Sequence, residues 1–244
     1  MIHSDILNSD RWARFSLLFA VCFFLIGACL NYVAPYLPRL ALLTRIVPGL
    51  LWSSAYLPLI ILPWKAQWNV EDIGFAFNWK AGLVTIVIAL ILVLAGSSRE
   101  LLWSNAAMEA FARTAEEVFF RGFLFTLIFR LTTSKPRPWM WAIVGSSLAF
   151  TLVHTQTFQA GGVISQGFFP VLSRLINLFV FAAVLGVIRW RTQSVLPAAI
   201  THATFNGGLQ TIPFVLVLYV IGWIWIKAWQ WKDRDKLPEG DGAA

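Results

Sequence analysis

Residues 112–131 read ARTAEEVFFRGFLFTLIFRL. Glu116, Glu117 and Arg121 stand directly against Phe119, Phe120, Phe123 and Leu124 within one helix length. An amphipathic surface helix keeps its polar residues on one face, whereas from Gly122 to Phe129 only Thr126 interrupts an apolar run. A helix that is apolar all round is a buried core element or a membrane span. Composition decides between the two. Of 244 residues, 58% are hydrophobic and 13% charged, with a mean hydropathy of +0.70. A soluble domain is roughly 45–50% apolar and about 25% charged. A soluble globular enzyme, a disordered chain and a disulfide scaffold are thereby excluded, and the fold class is an all-α, polytopic transmembrane helix bundle.

Other apolar runs lie on both sides of this stretch. They fall at residues 15–37, 46–63, 81–97, 105–133, 139–157, 169–190, 195–211 and 213–231. A span needs about 20 residues, so eight of them use about 160 and leave only short loops. The whole chain, 1–244, then reads as a single membrane domain, with its motif-bearing core at about 105–211 and a disordered tail at 232–244. Lipid requires each span to satisfy its own backbone, and the runs lack the period-two alternation of barrel strands. The segment Pro63 to Lys80 (PWKAQWNVEDIGFAFNWK) is aromatic and charged and reads as interfacial, with a turn at Glu71, Asp72 and Gly74. Ser194 is the expected cap of the seventh span, with Pro197 in its first turn.

The net charge of +7 does not form a nucleic-acid-binding patch, because the basic residues punctuate the apolar runs. Among loop residues, only Arg39, Arg45, Arg99 and Arg174 fall on the side opposite the N-terminus. The positive-inside rule then places both termini in the cytoplasm. Trp64, Trp68, Trp79, Trp139, Trp190 and Trp229 gather at the same inner boundary, as an aromatic belt does.

The residues that carry chemistry are the polar ones inside these apolar helices. A central charge costs about 2.5–3.5 kcal/mol on insertion scales, so Glu116, Glu117 and Arg121 need partners or a polar cavity. Glu117 and Arg121 are four apart, in the favourable order for an ion pair. Glu116 is rotated by about 100° and is left for another task. Glu109 and Arg113 read as a surface pair near the outer boundary. Two later helices carry His154 and, four apart on one face, His202 and Asn206. Counted along their helices, Glu116, His154 and His202 lie roughly 17, 23 and 12 Å from their starting faces, so one site in the membrane can hold all three. A carboxylate and a histidine can activate water, and a second histidine with an amide can stabilise an oxyanion. The same Glu116, His154 and His202 set is also a plausible zinc ligand set with a position left for water. A proton-coupled transporter is disfavoured by the lack of repeated halves or paired broken helices.

These residues form three motifs in order: Glu116-Glu117-x-x-x-Arg121, Phe150-x-x-x-His154 and His202-x-x-x-Asn206. Together they resemble the CPBP family of intramembrane proteases, the CAAX-processing and bacteriocin-processing enzymes also called the Abi family. The stretch Pro63 to Gly74 is similar to that family's segment before its catalytic helices. The resemblance implies an intramembrane endopeptidase that cleaves a membrane-associated or lipidated peptide. Glu116 is then the general base, His154 positions the water, His202 and Asn206 form the oxyanion hole, and Glu117 and Arg121 orient the helix. The resemblance admits both a glutamate mechanism without cofactor and a zinc mechanism. The glutamate form is preferred because asparagine is a poor zinc ligand. The expected partners are membrane lipid and a membrane-embedded or lipidated peptide, with no nucleic acid. The alternative is a non-catalytic scaffold or regulator on the same fold. The polar loop at 155–167 is expected to gate the site.

Overall fold

The computed structural model describes residues 71–76, 78–94, 102–154 and 168–234, with isolated positions between 11 and 68; for residues 93 and 229–234 only the backbone is described. Most of the expected spans at 15–37 and 46–63, the loop at 155–167 and residues 235–244 of the tail lie outside the described residues. Within them every extended element is helical. Helix α1 is Trp79–Leu94, α2 is Trp103–Glu117, a π-helical segment is Val118–Leu124, and α3 is Phe125–Leu131. Helix α4 is Pro138–His154, α5 is Phe168–Thr192, α6 is Leu196–Gly207 and α7 is Ile212–Arg234, the last preceded by a 3₁₀ turn at Leu209–Thr211.

Among the described residues, two helices are long and apolar enough to cross a membrane: Phe168–Thr192, and Leu209–Ala228, which includes the 3₁₀ turn. Only 17% and 22% of their apolar windows are buried, so neither is the core helix of a soluble protein. Leu172, Ile176, Val180 and Val184 repeat every four residues along α5 and are all exposed, as are Val217, Ile221 and Ile224 on α7. Continuous apolar faces of this kind suit a lipid solvent. Eight spans are thus not confirmed among the described residues. Helix α6, within the expected seventh span, has 12 residues and is about 18 Å long, well short of a 30 Å core. It is buried along most of its length. Gly208, at φ +75°, ends it and starts the turn into α7. Leu196 N donates to Ser194 Oγ at 3.3 Å, and Pro197 occupies the first turn.

Small residues explain how α6 fits inside the bundle. Ala106 and Ala110 on α2, and Ala199 and Ala203 on α6, are fully buried or nearly so. Alanine faces let helix backbones approach closely in a membrane protein. This packing brings the polar face of α6 against the charged end of α2.

The turn expected at Glu71, Asp72 and Gly74 forms, with Glu71 exposed and its far end packed into the protein. Ile73, Gly74 and Phe75 are buried, and the turn is inserted beneath the π segment. Gly122 makes room for it: a Cβ there would lie 2.7 Å from the Ile73 carbonyl oxygen. Gly74 adopts φ +89°, and a Cβ on it would collide with the Arg189 guanidinium. Arg189 explains why charge is tolerated here. Its Nε donates to the Arg121 carbonyl at 3.2 Å and its Nη2 to the Asp72 carbonyl at 3.1 Å. Gly74 in turn accepts from Val195 N at 2.8 Å, and the Tyr219 hydroxyl donates to Ala76 O at 3.1 Å. Backbone groups buried among apolar helices need such partners. The turn thus locks the π segment, α5, α6 and α7 together.

Candidate active site

Three helices deliver the site. Glu116 and Glu117 are the last residues of α2, His154 ends α4, and His202 lies in the second half of α6. Glu116, Glu117 and Arg121 are fully buried and His202 nearly so. Glu116 Oε2 faces His154 Nε2 at 3.5 Å and His202 Nε2 at 3.6 Å. The structure thus brings together three of the residues singled out from sequence. His154 is the most open of them, with 17% of its side chain exposed against 4% for His202 and 1% for Glu116.

Each histidine is oriented through its other nitrogen. His154 Nδ1 meets the Phe150 carbonyl at 2.8 Å, and a carbonyl can only accept, so Nδ1 carries the proton. His202 Nδ1 meets Glu117 Oε1 at 2.8 Å. A histidine's ring orientation and tautomer are set by the bond its second nitrogen makes. Both Nε2 atoms are thereby turned towards Glu116. With Nδ1 donating to Glu117, His202 Nε2 can donate to a substrate oxygen only when the ring holds both protons.

Phe150 supports this arrangement. Its ring stacks on His154 at 4.1 Å between centroids and meets His202 edge-on at 5.6 Å. The Arg121 guanidinium lies 4.5 Å from the centroid of the same ring. Arg121 also approaches Glu117 at 3.4 Å and donates to the Ala182 carbonyl at 3.0 Å. Glu117 is therefore shared between Arg121 on its own helix and His202 on α6. The contact with His202 joins residues 85 apart in sequence, and no local spacing announces it.

Asn206 is placed differently. It stands one turn beyond His202, and its Nδ2 donates back to the His202 carbonyl at 3.0 Å. One of its two amide protons is so engaged, and the residue is not hydrogen-bonded to Glu116 or His154. Arg113 and Glu109 do form the expected pair, at 3.0 Å, but Arg113 also reaches Glu116 Oε1 at 2.6 Å. The pair is thus part of the site. The i,i+3 spacing of Arg113 and Glu116 was the signal for it, obscured by the i,i+4 partner that Glu109 already supplied.

Several buried polar atoms make no hydrogen bond to another protein group, four of them on Glu116, Glu117 and Arg121. Among the described residues they are Glu116 Oε2, Glu117 Oε2, Arg121 Nε and Nη1, and the hydroxyls of Thr85, Thr114, Ser147 and Thr204. The π segment starts immediately after Glu117, and π segments within α-helices are frequent at functional sites. As for a metal, no group of three or more His, Cys, Asp or Glu among the described residues has an arrangement that could hold one.

Residues 98–208, which include all the motif residues and the Glu109–Arg113 pair, match the family model described as Rce1-like, type II CAAX prenyl endopeptidase. Searches of curated proteins and of solved structures returned no match. Over this motif-bearing core the chain is similar to the Rce1-like family of type II CAAX prenyl endopeptidases.

Proposed function

We propose that this protein is an intramembrane endopeptidase that cleaves a prenylated or otherwise membrane-anchored peptide by glutamate-activated water. The observation that carries this reading is the convergence of Glu116 Oε2 with the Nε2 atoms of His154 and His202, 3.5 and 3.6 Å away, in a buried site at the junction of three helices. Glu116 Oε2 takes a proton from water that His154 helps to position. The resulting hydroxide attacks the scissile carbonyl carbon. Negative charge develops on the carbonyl oxygen and is met by doubly protonated His202 and by the free amide proton of Asn206. Glu116 then passes its proton to the leaving nitrogen as the C–N bond breaks. Glu117 and Arg121 hold His202 and the helix in register. No cofactor enters this scheme.

The setting follows from the same reading. The chain forms one membrane domain over 1–244, with its protease core at about 105–211, and α7 carries helix through Arg234 where a disordered tail was expected from 232. It is multi-pass with both termini cytoplasmic, surrounded by membrane lipid and acting on membrane-embedded or lipidated peptide rather than nucleic acid. The eight apolar runs need not all be spans, since α6 packs as a short helix inside the bundle.

The test is Glu116→Gln, reconstituted in lipid nanodiscs with a farnesylated peptide ending in a CAAX sequence. We expect release of the C-terminal fragment by the parent protein and none by the variant, with both proteins monodisperse and equally stable. Full cleavage by a folded Glu116→Gln protein refutes the mechanism. Absence of cleavage by the parent on any lipidated or transmembrane peptide supports a scaffold instead.

A further inference from the structure

Glu109, Arg113 and Glu116 form a ladder along α2. Arg113 Nε meets Glu109 Oε2 at 3.0 Å, and Arg113 Nη1 meets Glu116 Oε1 at 2.6 Å. Exposure of the side chains falls along it, from 35% for Glu109 through 20% for Arg113 to 1% for Glu116. A carboxylate has two oxygens, and here they are divided. Arg113 takes Oε1, so the oxygen left to face both histidines is Oε2. The planar guanidinium gives this division its geometry, because two of its nitrogens are fixed by two different carboxylates. Glu109 is held in turn by α6: a Cβ on Gly207 would lie only 3.0 Å from Glu109 Cβ, so the glycine lets the end of α6 close on that stem.

We propose that Arg113 is a positioning residue for the reaction. It selects which oxygen of Glu116 acts as the base, and Glu109 fixes Arg113 for that purpose. This rests on the proposed role of Glu116. A guanidinium present only to neutralise buried charge would affect stability and leave turnover per folded molecule alone. A positioning residue affects kcat with KM unchanged, because the aligned oxygen matters in the transition state and not in substrate binding.

The experiment measures kcat and KM on a farnesylated CAAX peptide in nanodiscs for the parent, Glu116→Gln, Arg113→Gln, Arg113→Lys and Glu109→Gln, with thermal melting of each. We expect Arg113→Gln to lower kcat by about 10–100-fold, the effect of losing one charge-assisted hydrogen bond, with KM within about twofold. Arg113→Lys recovers part of the loss, because an ammonium keeps the charge but not the fork. Glu109→Gln lowers kcat by about 3–10-fold at unchanged KM. If Arg113→Gln does not fold, Glu109→Gln decides, and parental kcat in that variant overturns the proposal. Parental kcat in a folded Arg113→Gln overturns it as well, while an inactive Glu116→Gln leaves the mechanism standing. An active Glu116→Gln removes both.

Discussion

Replacing Arg121 by methionine should destabilise the protein without touching the reacting groups. Arg121 is fully buried, as is Glu117, its partner at 3.4 Å. Removing one member of a buried pair costs about 3–5 kcal/mol, and Glu117 would keep only the bond from His202 Nδ1, at 2.8 Å, against its buried charge. The lost hydrogen bond to the Ala182 carbonyl and the lost contact over Phe150 fall within that range rather than adding to it, since the same side chain makes all three. The ion pair is not bidentate, because neither Glu117 Oε2 nor Arg121 Nε has a hydrogen bond, which favours the lower end, about 3 kcal/mol. For a chain of this size that corresponds to a fall in Tm of about 6–12 °C. In a Glu117→Gln background no anion is stranded, so the same Arg121→Met change should cost only about 1–2 kcal/mol. The assay is tryptophan fluorescence during thermal unfolding of all four proteins in one detergent, read as a double-mutant cycle. A coupling of about 1–2 kcal/mol is expected. A Tm loss of under 2 °C for Arg121→Met, or strictly additive losses, would refute the view that the pair holds the helix.

Two further outcomes follow from the same geometry. Gly122→Ala places a methyl 2.7 Å from the Ile73 carbonyl oxygen, so it should push the 71–74 turn off the π segment and cost about 1–3 kcal/mol, measured by the same melts; unchanged stability would show that the two segments are not in contact. Treatment with a strong divalent-metal chelator followed by desalting should leave peptide cleavage within about twofold of its starting rate, whereas loss of activity restored by zinc would establish the metal mechanism in its place.

The legible and illegible parts of this fold separate by range. Apolar runs located α1 through α5 and α7 closely, because a span leaves its mark in consecutive residues. The 195–211 run misled on length, since periodicity and composition do not tell a short enclosed helix from a span. Its alanines and its histidine were the clue, because a lipid-facing helix does not need small residues on several sides. The turn at 71–74 was legible from Glu71, Asp72 and Gly74, but the burial of its far end was not. What buries it is Arg189, more than a hundred positions away, which bonds the Asp72 carbonyl and makes burial of that backbone affordable. The π segment left no trace in spacing, and the bond from Arg189 to the Arg121 carbonyl is visible only in three dimensions.

The site shows the same division. Glu116, His154 and His202 were recognisable because a charge or an imidazole in an apolar helix needs a reason. What set their roles was second contacts. Glu117 reads from sequence as the partner of Arg121 alone, yet it is the only carboxylate that fixes the ring of His202 through Nδ1 among the described residues. Glu116 reads as the carboxylate with no partner, yet Arg113 occupies one of its oxygens. The two glutamates are thus not one structural and one catalytic residue standing side by side. Glu117 turns His202 so that its Nε2 faces Glu116, and Arg113 leaves Glu116 the oxygen that faces His202. Adjacent residues on one helix, about 100° apart, can do this only when a second helix brings a ring with two distinct nitrogens between them. That requirement accounts for α6 being short, alanine-rich and enclosed, since a helix out in the lipid could not reach both carboxylates.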